Sequence, residues 1–242
     1  MLGSMHPLTM LRYTTVQIGD SGAVAGGDLM VNSSRALPAW KNTRKPEFAQ
    51  MLYFINGNKT DGLHYDIFTK NPEKLQDEVK GVIEKYGEYP FDNSKMLAGY
   101  GIAMLRDGTK LDSVSGGTNT QSTYWMSFVR GSGHGDLDAL NLGIDAYGIS
   151  VAPEHGYPHQ VMGDIYYNWG KATVSHNTVV VDNASQSRVD YTADPIHFED
   201  AGQVKVMDAR APERYVKAEE YRRTVVTVEV DSESSYGVDF FR

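Results

Sequence analysis

YGIAMLRDGTKLDSV, residues 100–114, is where the chain changes character. Asp107-Gly108 lies between two alternating stretches. Both residue types tolerate the left-handed backbone of a tight two-residue turn, so the segment predicts a β-hairpin. Downstream, TYWMSFVR, LNLGIDAYG, HNTVVVD, AGQVKVMDAR, YRRTVVTVEV and the terminal SSYGVDFFR read as further strands, separated by turns rich in Gly, Pro or Asp. No helical period interrupts them. A parallel sheet needs helical crossovers, so the expectation is an antiparallel sheet, of β-sandwich or supersandwich type. A domain rarely stops in an apolar strand with an uncovered edge, so the chain reads as a fragment truncated at its C-terminus.

Upstream the period is helical. Phe48, Met51, Leu52 and Ile55 form one stripe between Pro46 and Asn56. Asn71-Pro72-Glu73 joins a capping side chain, a proline that needs no N–H partner and an acid facing the positive helix end. Leu75, Val79, Val82, Ile83 and Tyr86 then share a face until Gly87 stops the helix. Gly19 to Gly27 is a loop without the lysine of a phosphate-binding motif. The division expected is a helical segment over residues 1–90 and a β-sheet domain over 91–242. Met1 to Met5 reads as an expression remnant and is set aside.

Composition narrows the classes. The 242 residues carry a formal charge of −8 and no basic cluster, which argues against a nucleic-acid partner. No stretch approaches the roughly 18 consecutive apolar residues of a membrane span, so no membrane partner is expected. The absence of cysteine excludes disulfides and thiolate metal sites.

Candidate chemistry gathers in three stretches. Gly131-Ser132-Gly133-His134-Gly135-Asp136-Leu137-Asp138 alternates His134, Asp136 and Asp138, which point to one side wherever the chain is extended. Pro153-Glu154-His155-Gly156-Tyr157-Pro158-His159 is a turn dense in ionisable and aromatic groups, and His176-Asn177-Thr178 opens a β-branched run. Imidazoles and carboxylates converging from separate segments suit zinc, manganese or a harder divalent ion, and a histidine can equally exchange protons near neutral pH. Each has a plainer reading. Asp136 and Asp138 make turn hydrogen bonds, His155 and His159 are solvated loop residues, and Tyr157, Tyr166 and Tyr167 are packing aromatics with a polar tip.

GHGDLDALNLGIDAYG, APEHGY, SHNTVVVDNASQ and YRRTVVTVEVDSESSYGVDFFR, in this order over about residues 95–242, resemble the heparinase II/III-like polysaccharide lyases. The residues before 90 would then correspond to the last helices of that family's (α/α) toroid. The resemblance implies β-elimination on a uronic-acid polysaccharide such as alginate or a glycosaminoglycan, with an anionic poly- or oligosaccharide as partner and a periplasmic or secreted location. It places His134 on the first histidine of a His-x-His pair that contacts the reacting sugar. Asp136, Glu154 and His176 fall on the family's metal ligands, where zinc is the usual and structural ion. Two carboxylates and one histidine then replace two histidines and one carboxylate, which shifts the preference toward manganese or calcium. Arg130, Tyr157 and Tyr166 are the candidate substrate contacts. The family's catalytic tyrosine lies upstream in the toroid and has no counterpart here, so the chain is expected to hold part of an active site. A non-catalytic sugar-binding β-domain and a metal-dependent hydrolase are the alternatives.

Overall fold

The computed structural model describes residues 16, 18–19, 33–88, 94–107, 121–128, 135–147, 149–155, 163–189, 193–231 and 234–242. They divide into a helical unit within residues 29–92 and a β unit that takes in most of 93–242. In the helical unit, α1 spans Ser33–Thr43, α2 Pro46–Ile55 and α3 Pro72–Tyr86. The α3 start follows the expected chemistry, with the Asn71 side chain accepting the Lys74 N–H at 2.9 Å. Its end does too, because Gly87 takes φ 82°, a left-handed value a side chain would resist. Leu75 and Val79 are buried against Leu37, Trp40, Phe48 and Leu52, whereas Tyr86 is exposed and continues the stripe in sequence only. Helix α1 lacks a legible signal, since Pro38 interrupts it.

The β unit contains two antiparallel sheets. The first runs in order β1 (Lys95–Leu97), β2 (Ile102–Asp107), β3 (Ser122–Ser127), β4 (Asn141–Ala146) and β5 (Ile149–Ala152). The second runs β6 (Asp194–Asp200), β7 (Val204–Arg210), β8 (Arg222–Glu229) and β9 (Ser235–Phe241). Leu105, Met126 and Leu142 from one sheet share a core with Met207, Ala209 and Val225 from the other, so the two faces form a sandwich. Gly143 lies opposite Trp125 in register, and a Cβ there would sit 2.0 Å from the indole. The glycine is the space into which that ring fits.

The hairpin turn expected at Asp107-Gly108 falls on residues 108–120, which lie outside the described set; Ile102–Asp107 itself pairs along its whole length with Ser122–Ser127. One sequence expectation is corrected: HNTVVVD is not a strand. Its backbone is held by side chains from elsewhere: the Asn177 carbonyl accepts Arg223 at 2.6 Å and the Val179 carbonyl accepts the Tyr221 hydroxyl at 2.6 Å. Asp182 and Asn183 then turn at φ 55°, leaving one bridge between Val181 and Ala184. Strand β6 escapes sequence reading because Pro195 and its charges disguise an exposed edge strand.

Candidate functional site

Glu154 follows the end of β5, and its carboxylate is buried among three donors. Oε2 accepts Asn141 Nδ2 at 2.6 Å; Oε1 accepts the His155 N–H at 2.7 Å and faces His176 Nδ1 at 2.8 Å. Asn141 stands at the mouth of β4, and its Oδ1 also accepts the Asn177 N–H at 2.9 Å. One amide therefore locks the Glu154 turn to the His176 segment. Asn177 completes the clamp by donating Nδ2 to the Pro153 carbonyl at 3.0 Å.

His176 is buried and its ring stands edge-on to His155, with centroids 5.3 Å apart. His155 Nε2 donates to the Ser175 carbonyl at 2.5 Å, which orients that ring. Far from being a solvated loop residue, His155 is half-buried and part of the cluster. Glu154, His155 and His176 each place a ligand-capable atom within 4.8 Å of the others.

Asp136 and Asp138 are both buried beside these residues. Burial, then the Asp138 charge, pushes Asp136 up to about 7. Asp138 is pushed up to about 6 by burial, with His176 opposing and Glu154 reinforcing. Burial alone would lower His176, but the Glu154 hydrogen bond and the surrounding carboxylates hold it at about 9. The Lys171 ammonium, also buried, lies 4.0 Å from Asp136, donates to the Gly135 carbonyl at 3.1 Å and sits 5.2 Å from the Tyr166 ring centroid. The 135–139 segment is further stitched down by Thr173 Oγ1 on the Leu137 carbonyl at 2.6 Å and by Gln186 on Ala139.

The structure thus brings Glu154 and His176 into direct contact, with Asp136 in the same charge cluster. Tyr166 is only 9% exposed, its ring packed beneath Lys171 and against Tyr167. Arg130, His134 and Tyr157 lie outside the described residues. Sequence reasoning passed over Asn141 and Lys171, the residues that hold the cluster in place; a polar Asn opening the first of the two strands that lead into the Glu154 turn was the available signal. The donor chemistry suits a divalent ion. Among the described residues, His176 Nε2 and Asp138 Oδ2 are buried with no hydrogen-bond partner, and the Glu154 carboxylate stands within reach of both imidazoles.

The helical unit has its own surface cavity of about 480 Å³ near Lys41, Arg44, Lys70 and Lys74, but Lys41 and Arg44 are already paired with Asp66 and Glu78. It holds no cluster of histidines and carboxylates.

Fold and cluster together define an antiparallel β-sandwich protein with a buried histidine–carboxylate centre. Residues 124–239, a little under half of the chain, match the family described as heparinase II/III-like, C-terminal. The fold of this chain is similar to that of heparan sulfate lyase HepC from Pedobacter heparinus. That match has TM-score 0.63 and 15% identity, over 96% of this chain and 30% of that one. A heparinase III crystal structure matches with TM-score 0.61 and 13% identity, over 93% and 31% of the two chains. A heparinase III gene product matches with TM-score 0.55 and 18% identity, over 91% and 28%. The chain spans about 30% of the length of these structures. No curated protein matches it by sequence.

Proposed function

We propose that this chain provides the β-sheet side of a polysaccharide lyase that cleaves a uronic-acid polymer by β-elimination. The observation that carries the reading is the Glu154–His155–His176 cluster, with Glu154 and His176 buried, within a segment that matches the heparinase II/III-like family. In the reaction, neutralising the uronate carboxylate acidifies the C5 proton. A base removes that proton, the C4–O bond breaks, and an acid protonates the departing oxygen. A C4–C5 double bond forms and no water is consumed.

His134 is assigned to carboxylate neutralisation or proton transfer, and Arg130 and Tyr157 to contact with the sugar; Tyr166, expected from sequence to share that contact, is buried beneath Lys171 and is assigned to support instead. Glu154, His155 and His176, with Asp136 beside them, would hold a divalent ion. That ion supplies fixed positive charge that offsets the buried carboxylates and braces the segments. Two imidazoles with a carboxylate restore the case for zinc, with manganese next and calcium after it. Lys171 anchors the Gly135 carbonyl, which follows His134 directly in sequence.

The similar structures are named as heparinases and a heparan sulfate lyase, which favours a glycosaminoglycan over alginate. The assigned location is periplasmic or secreted. Mass spectrometry of the products tests the chemistry. Elimination yields a new non-reducing end lighter by one water than hydrolysis would give, and saturated products would overturn the proposal. A non-catalytic sugar-binding unit is the second reading, favoured by the roughly 30% coverage of the similar structures. Binding without turnover would identify it.

A further inference from the structure

The segment between Glu154 and His176 carries a π-helical turn, Tyr166–Gly170. Such turns are uncommon and recur at functional sites. This one turns the Tyr166 ring inward while leaving Tyr167 59% and Trp169 52% exposed. The Trp169 indole is not a loose surface ring. It stands edge-on to His155, with centroids 6.5 Å apart, and its carbonyl accepts Ser175 Oγ at 2.6 Å. His155 in turn contacts His176. An exposed, oriented aromatic face is therefore continuous with the buried centre through a single imidazole.

We propose that Trp169 is the stacking platform for one pyranose ring of the bound polysaccharide, next to the His155–His176–Glu154 cluster; this rests on the uronate-polymer reading above. The C–H face of a pyranose is weakly positive, and the face of an indole is electron-rich and apolar. Stacking holds the ring plane while leaving the carboxylate, at the ring's edge, free to meet polar groups. Ile165 and Val174, from the same stretch of chain, are exposed apolar residues as well. Tyr166, the aromatic singled out from sequence, supports the turn from below.

The chain makes the test specific. It has three tryptophans, of which Trp40 and Trp125 are 5% and 2% exposed. Acrylamide quenching therefore reports chiefly on Trp169. Titrating the 242-residue chain with a heparan sulfate hexasaccharide, alongside calorimetry, should shield the quenchable fluorescence in step with binding. Trp169→Ala should weaken binding about tenfold and Trp169→Phe much less, as expected for loss or retention of a stacked ring. Calorimetric binding that leaves acrylamide access unchanged would overturn the platform and leave the lyase reading standing. No binding of heparan sulfate or alginate hexasaccharides at all would overturn both. The fluorescence result on the unaltered chain needs no variant to fold.

Discussion

Removing the Glu154 carboxylate is the perturbation with the largest calculable consequence. Three donors converge on it within 2.6–2.8 Å: Asn141 Nδ2, the His155 N–H and His176 Nδ1. Glu154→Ala strands all three in a buried site and leaves His176 without its closest counter-charge. A hydrogen bond to a charged group contributes about 1.5–3 kcal/mol, but three on one carboxylate are coupled and do not add. Breaking a buried ion pair from one side costs about 3–5 kcal/mol, which bounds the sum. At about 2–4 °C per kcal/mol for a chain of this size, the melting temperature should fall by roughly 6–20 °C. Glu154→Gln keeps an oxygen acceptor for Asn141 or the backbone but loses the charge, so it should fall by about half as much. Thermal unfolding followed by near-ultraviolet circular dichroism in EDTA separates this effect from metal binding. If Glu154→Ala melts within about 2 °C of the parent, the carboxylate does not organise the site and the reasoning fails.

Other expectations are independent of that one. Gly143→Ala places a methyl group 2.0 Å from the buried Trp125 ring, so it should cost at least about 1–3 kcal/mol in urea denaturation; a neutral outcome would show the register to be wrong. Burial raises Tyr221 from 10.0 to about 12, so its neutral form is favoured on folding. The raised value contributes stability below pH 10 that is lost as pH rises toward 12. Tyr221→Phe should lose about 1–3 kcal/mol at neutral pH, through the unpaired Val179 carbonyl, and should flatten that alkaline decline in melting curves. Metal-free protein dialysed against zinc should take up one ion per chain. At about 100 times the dissociation constant it should gain about 2.7 kcal/mol, and His155→Ala or His176→Ala should abolish the uptake seen by atomic emission.

The sheet was legible where β-branched residues alternate between turn signals, as in β7 and β8, because pleat and burial impose that pattern directly. It was illegible where long-range side chains replace strand partners. Nothing within HNTVVVD announces that Arg223 and Tyr221 will satisfy its carbonyls. Glu154 and His176 could be singled out as candidate ligands because their motifs resemble a known family. His155 could not, since its place depends on the Ser175 carbonyl reaching back across the fold. Trp169 was missed for a similar reason: a half-exposed tryptophan looks the same as a packed one in sequence.

The most direct measurement is ultraviolet absorbance while a protein that joins this chain to the helical side of the active site is incubated with heparan sulfate, hyaluronan and alginate in turn. The account predicts a rise from the conjugated C4–C5 double bond on a uronic-acid polymer, in proportion to new reducing ends. New reducing ends without that absorbance, or no change on any polymer, would contradict β-elimination at a site that this chain helps to build.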